Sequence, residues 1–130
     1  MSAPFEDVPV NRWLGFRLLE RAPSRVVIEQ DIRDEMLQEG DVMQGGLLTA
    51  LADTAAVYLL WPDLGPERTM IGTNVAMQFL GAGRKDLGTL RAVATPLRVG
   101  RTIAVCETIV HQGDRLICKG TFTFLIQDRR

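Results

Sequence analysis

Two cysteines and a single histidine are all that 130 residues carry of the commonest metal ligands and thiol nucleophiles, which removes several kinds of chemistry at the outset. Cys106 and Cys118 stand in apolar, strand-like surroundings without the spacing of a metal site or a redox pair, so they read as reduced core residues. There is no Gly-rich phosphate loop ending in Lys-Ser/Thr, no dinucleotide fingerprint, no G-x-S-x-G elbow and no metal-ligand cluster. Any reaction this chain carries out is therefore expected to need neither metal nor cofactor. No sign of charge dominates: 15 Lys and Arg face 16 Asp and Glu, a net charge of −1, which gives no electrostatic ground for a nucleic-acid or anionic-membrane partner. Any basic site must be local. No apolar run approaches the ~18 residues of a membrane span. The segment Met1 to Asn11 carries Glu6 and Asp7 in place of the apolar stretch of a signal or transit peptide, so a cytoplasmic location is the default expectation.

Repeats, low-complexity tracts and long linkers are also missing, and what is present fits one domain spanning residues 1–130. Hydrophobic residues make up 46% and charged ones 24%, enough apolar surface to build a core. Arg17 to Glu20 and Arg25 to Arg33, separated by the turn Ala22-Pro23-Ser24, read as a hairpin after a short lead-in. Gly46 to Trp61 is rich in Leu and Ala and is closed by Pro62, which predicts the one long helix. Its polar residues are few, and Thr49 and Asp53 share a face at i, i+4 spacing. A helix so apolar should be buried nearly all round.

Beyond it the period changes to two, with Ile71, Thr73, Val75, Met77 and Phe79 expected on one side of a strand and Gly72, Asn74, Ala76 and Gln78 on the other. Leu87 to Leu97, Thr102 to Val110 and Ile117 to Ile126 read as further strands. The turns Arg98-Val99-Gly100-Arg101 and Gln112-Gly113-Asp114 make them an antiparallel meander. Such a sheet must curve to wrap one helix, and whatever stays uncovered calls for a second copy of the chain, giving at least a dimer.

The segment Gln38 to Asp53, QEGDVMQGGLLTALAD, concentrates the chemistry. Gly45 and Gly46 open a helix with no side chain to block approach, so its first N–H groups are available to a carbonyl or an oxyanion. Asp53 lies more than two turns further, among Leu51, Ala52, Ala55 and Ala56, where a carboxylate is costly unless a cleft reaches it. The plainer account is an ordinary turn and a carboxylate satisfied by a nearby Thr or Arg; the two features together favour a site.

With Gln38, then Gln44-Gly45-Gly46 six residues on, then Leu51-Ala52-Asp53-Thr54-Ala55, the chain resembles the hotdog-fold thioesterases of the phenylacetate-degradation (PaaI-like) and 4-hydroxybenzoyl-CoA type. The resemblance continues through Thr73 to Leu80, Leu87 to Leu90, Val99 to Thr102 and Cys118 to Thr123, and covers the chain from Trp13 onward. Two departures stand out: Gln44 replaces the family's usual His, and Gly40 stands one position earlier than its loop Gly. His111, beside the Gln112-Gly113-Asp114 turn, reads as a solvated hairpin residue and does not replace that imidazole.

The resemblance implies an α+β hotdog fold, a curved antiparallel sheet around one central helix, assembled as a homodimer or homotetramer with active sites between subunits. It implies an acyl-CoA substrate, aryl or medium-chain, with Asp53 as base or nucleophile and Thr73 or Asn74 positioning water. It also implies Arg84, Lys85, Arg98, Gly100 and Arg101 near the coenzyme A phosphates. The depth of the acyl pocket would depend on Met43, Leu47, Tyr58, Trp61 and Met77. The rival reading is a non-catalytic acyl-CoA-binding hotdog protein; a dehydratase or hydratase is disfavoured, since that class relies on a His this helix lacks.

Overall fold

The computed structural model describes residues 4–129. What was expected to be a plain lead-in contains a 3-10 turn at Phe5–Asp7 and helix α1 (Pro9–Leu14). Its signals were short: Pro9 at the first helical position, where the missing N–H costs nothing, and Gly15 beyond the end in the left-handed conformation, φ 73°. Strands β1 (Arg17–Ala22) and β2 (Arg25–Gln30) form the first hairpin. A two-stranded ribbon, β3 (Leu37–Gln38) with β4 (Val42–Met43), leads into helix α2 (Gly45–Leu60). Its turn is closed by positive φ at both Gly40 (83°) and Asp41 (58°), so this loop is a tight hairpin that sets Gln38 opposite Val42.

Four long strands follow: β5 (Arg68–Phe79), β6 (Leu90–Val99), β7 (Ile103–Gln112) and β8 (Arg115–Asp128). β6 starts three residues later than the pattern predicts because Lys85–Leu87 coil into a 3-10 turn. All pairings are antiparallel, in the order β1-β2-β6-β7-β8-β5. The predicted meander is β6-β7-β8. β5 does not pair with its successor: the chain crosses the sheet after Phe79, and β5 takes the edge beyond β8.

Helix α2 lies on the inner face of this sheet, which is the hotdog arrangement. Leu48, Leu51, Ala52, Ala55, Ala56, Leu59 and Leu60 are buried against β2, β6, β7 and β8, through Val26, Ile28, Ala92, Ala94, Cys106, Val110 and Phe122. Alanines on both sides let helix and sheet approach closely, and each large side chain withdrawn from water contributes about 1.5–3 kcal/mol. β5 stands away from the helix. The expectation of a helix buried all round therefore fails within one chain: Gly46 is exposed and Thr49, Ala50, Asp53 and Val57 are only half-buried.

The strict alternation expected in β5 also fails. Gly72 pairs with Phe124 and Asn74 with Thr123, so Thr73 is the extra residue of a β-bulge. Met70 and Gly72 share the inner face with Val75, Met77 and Phe79, whereas Ile71 turns to the outer face beside Leu125. The bulge bends β5 opposite Asp53.

Candidate active site

The space between α2 and β5 is a groove. Gly46, Thr49, Ala50 and Asp53 line one side of it, on a single helical stripe, and Gly72, Thr73, Asn74 and Val75 line the other, enclosing about 530 Å³. Toward the C-terminal end of α2 it continues into a space of about 270 Å³ bounded by Asp53, Val57, Trp61, Thr69, Met70, Gly72 and Phe124. Asp53 sits at the junction. The threonines beside it are spent on the helix itself: the Thr49 hydroxyl donates to the Gly45 carbonyl at 3.2 Å and that of Thr54 to the Ala50 carbonyl at 2.7 Å. Among the described residues no side chain hydrogen-bonds or ion-pairs with the Asp53 carboxylate, so the satisfied-carboxylate account does not hold. Burial without a compensating partner raises its pKa above the ordinary carboxylate value.

Cys106 lies beneath, fully buried on β7. Burial, with the Asp53 charge adding to it, pushes its thiol up to about 12, and burial pushes Cys118 up to about 11. Both are free and stay protonated at ordinary pH, as core residues do. Among the described residues no three His, Cys, Asp or Glu side chains gather as metal ligands.

The N-terminus of α2 is a second cluster. The Gln44 side chain caps the helix, its Oε1 accepting from the Leu47 N–H at 3.0 Å. That bond orients the amide, because a backbone N–H can only meet the oxygen, and it leaves Nε2 as a donor. Among the described residues the N–H groups of Gly45 and Gly46 have no acceptor. A side chain at Gly46 would strike the Gln44 amide, 2.8 Å from Oε1, and one at Gly45 would press on the Phe79 ring at 3.3 Å. Three donors thus gather at the positive end of a sixteen-residue helix, where an oxyanion is favoured.

The predicted residues do not all meet within one chain. Asp53, Gly46, Thr73 and Asn74 share the groove, and Thr73 donates to the Thr123 carbonyl at 3.3 Å. Gln44 borders a different hollow of about 360 Å³, with Trp13, Leu14, Met36 and Leu47. Gln38 is exposed on β3. Of the proposed pocket-depth residues only Trp61 borders the groove's inner end: Met43 is core, Leu47 faces the Gln44 hollow, Met77 lies further along β5, and the Tyr58 hydroxyl accepts from Asn11 at 3.1 Å.

The basic residues split into two groups. Arg84 and Lys85 stand near the start of α2, with Asp34, Asp41 and Asp86 about them, and Lys85 is ion-paired to Asp34. Arg98, near the end of β6 and paired with Val105, and Arg101, in the turn that follows, stand eight or more residues further along the sheet from Leu90, a span of roughly 26 Å. Gly100 there is structural: its N–H donates to the Ile103 carbonyl at 2.8 Å, and a Cβ would sit 2.9 Å from that oxygen. Arg68, distant in sequence, joins this group by donating to the Arg101 carbonyl. Sequence reading missed it, having no spacing to follow.

At the other hairpin His111 stands beside the turn as expected, within β7 across from Arg91 and Leu116, but it is half-buried where a solvated residue is expected. Gln112, expected in the turn, is buried; its amide donates to the carbonyls of Arg84 (2.6 Å) and Gly88 (2.7 Å) and accepts from the Arg84 N–H (3.1 Å).

A six-stranded antiparallel sheet in this order, holding one helix with a half-buried carboxylate along its open flank, defines a hotdog-fold protein. Comparison with known proteins carries this one step further. The family model of the thioesterase superfamily matches residues 40–119, and the chain belongs to that superfamily. ComA2 of Bacillus subtilis is 28% identical over 119 residues, covering 87% of this chain and 90% of that protein. The 1,4-dihydroxy-2-naphthoyl-CoA hydrolase of Listeria monocytogenes is 20% identical over 118 residues, 90% and 94% of the two chains. Among solved structures, AziG of S. sahachiroi superposes with a TM-score of 0.88 at 23% identity, over 93% of this chain and 98% of that one. The PaaI protein of E. coli does so with 0.83 at 20%, over 93% and 86%. Both share the fold.

Proposed function

We propose that this protein hydrolyses a coenzyme A thioester, aryl or medium-chain, to the free acid and coenzyme A, working as a symmetric homodimer or a dimer of such dimers. The observation that carries the reading is Asp53: a carboxylate half-buried on a helix, raised in pKa, without a partner among the described residues, and facing a groove. A fold gains nothing from such a group. Hydrolases of activated acyl groups need one, as a base for water or as a nucleophile.

Direction supports the dimer more than distance does. Gly46 and Asp53 are seven residues apart on one helix, about 10 Å. The first N–H groups of a helix point away from its body, so an oxygen they hold lies beyond that separation, whereas a water bridging carbonyl carbon and carboxylate spans only about 6 Å. In this reading one thioester uses Asp53 of one subunit and Gly45 and Gly46 of the partner subunit. β5 is the strand that would join them: it is an edge, twelve residues long, with Ile71, Val75 and Phe79 exposed.

In this reading the acyl oxygen is held by the Gly45 and Gly46 N–H groups, assisted by Gln44 Nε2. Asp53 takes a proton from a water that Thr73 or Asn74 positions, the oxygen of that water bonds to the carbonyl carbon, and the C–S bond breaks. Coenzyme A leaves with the proton, and the acid remains. Arg101, with Arg98, meets the phosphates, and Arg84 with Lys85, at the other end of the sheet, is the alternative contact. Support for the coenzyme A ester comes from the superfamily and from the named substrate of the Listeria relative.

A thiol-release screen of the purified protein against acyl-CoA esters tests this. Release with at least one aryl or medium-chain ester, abolished in Asp53→Asn, is the expected result. Tight binding of esters without release would favour the acyl-CoA-binding alternative.

A further inference from the structure

We infer that the inner half of the groove, between Asp53 and Trp61, is the chamber for the acyl group, that it takes one aromatic ring or an unbranched chain of similar volume, and that Gly72 sets its width. This rests on the thioesterase reading above. The two halves of the groove share only Asp53 and Gly72, and they differ in chemistry. The outer half carries the hydroxyls of Thr49 and Thr73, whose hydrogens go to the Gly45 and Thr123 carbonyls and whose oxygens still accept. The inner half is walled by Val57, Trp61, Met70 and Phe124, with Thr69 among them. A thioester with its carbonyl at Asp53 must send its two arms in opposite directions. The arm of coenzyme A next to sulfur is a chain of amides, which lose their hydrogen bonds against an apolar wall and keep them on the open side toward the subunit boundary. The acyl arm goes inward.

Volume guides the choice of acyl group. A dry cavity of about 150 Å³ is enough for benzene, and the inner half, open along one side, offers about 270 Å³. A ring with a short linker fits; a long fatty chain has to pass Trp61, the last residue of the helix stripe formed with Asp53 and Val57.

Gly72 is the narrow point. Register places it on the inner face, directly opposite Phe124, with the bulge residue Thr73 following. Its backbone is not in the left-handed region, so conformation does not demand glycine here. A Cβ would meet Phe124 Cε1 at 3.6 Å and Cδ1 at 3.8 Å, ordinary contact distances, so a side chain is accommodated by the fold. What it would take away is the room over the Phe124 ring where the halves join. Glycine inside a strand weakens it and marks a close approach of something else. Here that something is the ligand.

The test measures binding apart from turnover. Dissociation constants of S-ethyl-, S-hexyl-, S-phenethyl- and S-dodecyl-CoA thioethers, which cannot be hydrolysed, are obtained by calorimetry for the parent, Gly72→Ala, Gly72→Val and Trp61→Ala. The parent should prefer hexyl and phenethyl to both ethyl and dodecyl. Gly72→Val should cut the hexyl-to-ethyl preference at least about tenfold, and Gly72→Ala less, in keeping with what one methyl group is worth in an apolar pocket. Trp61→Ala should extend the preference to dodecyl. A flat preference in the parent, or one that neither Gly72 variant nor Trp61→Ala alters, overturns the assignment. Thermal unfolding and sedimentation of each variant show that it folds and assembles; should Gly72→Val not fold, Gly72→Ala and Trp61→Ala decide. A parallel thiol-release assay keeps the two readings distinct. Thioethers ranked as expected with no ester cleaved would uphold the chamber against the hydrolase, and esters cleaved without a length preference would do the reverse.

Discussion

The two flanks of α2 are built from the same helix and treat polar groups in opposite ways. On the flank packed against β6 and β7, the buried Thr108 hydroxyl donates to the Ala52 carbonyl at 2.9 Å, and the space around it is filled by Leu51, Ala55, Leu59 and Phe122. On the flank facing β5, the very next residue, Asp53, has a charge, partial burial and no partner, and its neighbours are Gly46, Thr49, Ala50 and Gly72. One flank spends every group on the fold. The other keeps groups in reserve, at a cost the packed flank has to offset. A substitution on the first should therefore cost stability, and one on the second should cost chemistry.

The packed flank should show the largest effect. Phe122 is fully buried under the helix, and Phe122→Ala is expected to lower unfolding free energy by about 3–5 kcal/mol, read from urea denaturation. A loss below about 1 kcal/mol would mean that this flank is not the foundation of the fold. Asp53→Asn should do the opposite. It should reduce kcat at least about a hundredfold while leaving the protein folded and assembled. Its effect on stability has a definite sign. Because burial raises the folded-state pKa of Asp53 above the unfolded value, the native state holds the proton more tightly, and stability falls as pH rises between the two values. At neutral pH the ionised carboxylate is a burden, so Asp53→Asn should melt at a temperature equal to or above the parent's. That advantage should vanish below the ordinary carboxylate range. A variant that hydrolyses at the parent rate, or melts lower at neutral pH, would make Asp53 a structural residue.

Most of this contrast was legible before the fold was known, and what was not has physical causes. The helix, the hairpins and the Gln44-Gly45-Gly46 to Asp53 spacing depend on local propensity and on residues near one another in sequence. Strict alternation misses the phase of β5 because a bulge adds one residue without changing composition; the glycine at position 72 is its one visible sign. Helix α1 is bracketed by Pro9 and Gly15, but its six residues are too few to show an apolar period. The grouping of the arginines is hidden for a different reason. Arg84 and Arg101 look alike as turn residues, and only the length of β6 shows that they stand at opposite ends of the sheet. The partnerless state of Asp53 could not be read at all, since it depends on Thr49 and Thr54 bonding their own helix carbonyls.

Smaller effects should sharpen the comparison. Thr108→Val keeps the shape of the packed flank and removes one buried hydrogen bond, so about 1 kcal/mol of stability should be lost with kcat unchanged. Equal losses of stability and kcat would show that the flanks are coupled. Arg101→Ala, at the exposed rim, should raise KM a few-fold with kcat nearly intact, the mark of lost ground-state binding. Its effect should fade at high salt, as a screened surface charge requires. An unchanged KM would move the phosphate contact to Arg84 at the other end of the sheet.

The subtlest expectation concerns what titrates on the open flank. Where the family usually has an imidazole this chain has Gln44, an amide that holds its orientation at every pH through the Leu47 N–H. His111 lies on β7 across from Arg91 and Leu116, outside the groove, and the Cys106 and Cys118 thiols, at about 12 and about 11, are beyond the range of an assay. Asp53 alone remains to shape the profile. Its ionised form does the work in either mechanism, so kcat/KM should rise with pH through one inflection above the ordinary carboxylate value and then stay level through mildly alkaline solution. Gln44→His should add a second inflection near pH 6–7, roughly where an unperturbed imidazole titrates, with a change in rate smaller than that of any variant above. A falling limb near neutrality in the parent would reveal a second titrating group in the groove, and an Asp53 inflection at or below the ordinary value would place its carboxylate in contact with a cation, most simply one supplied by the partner subunit.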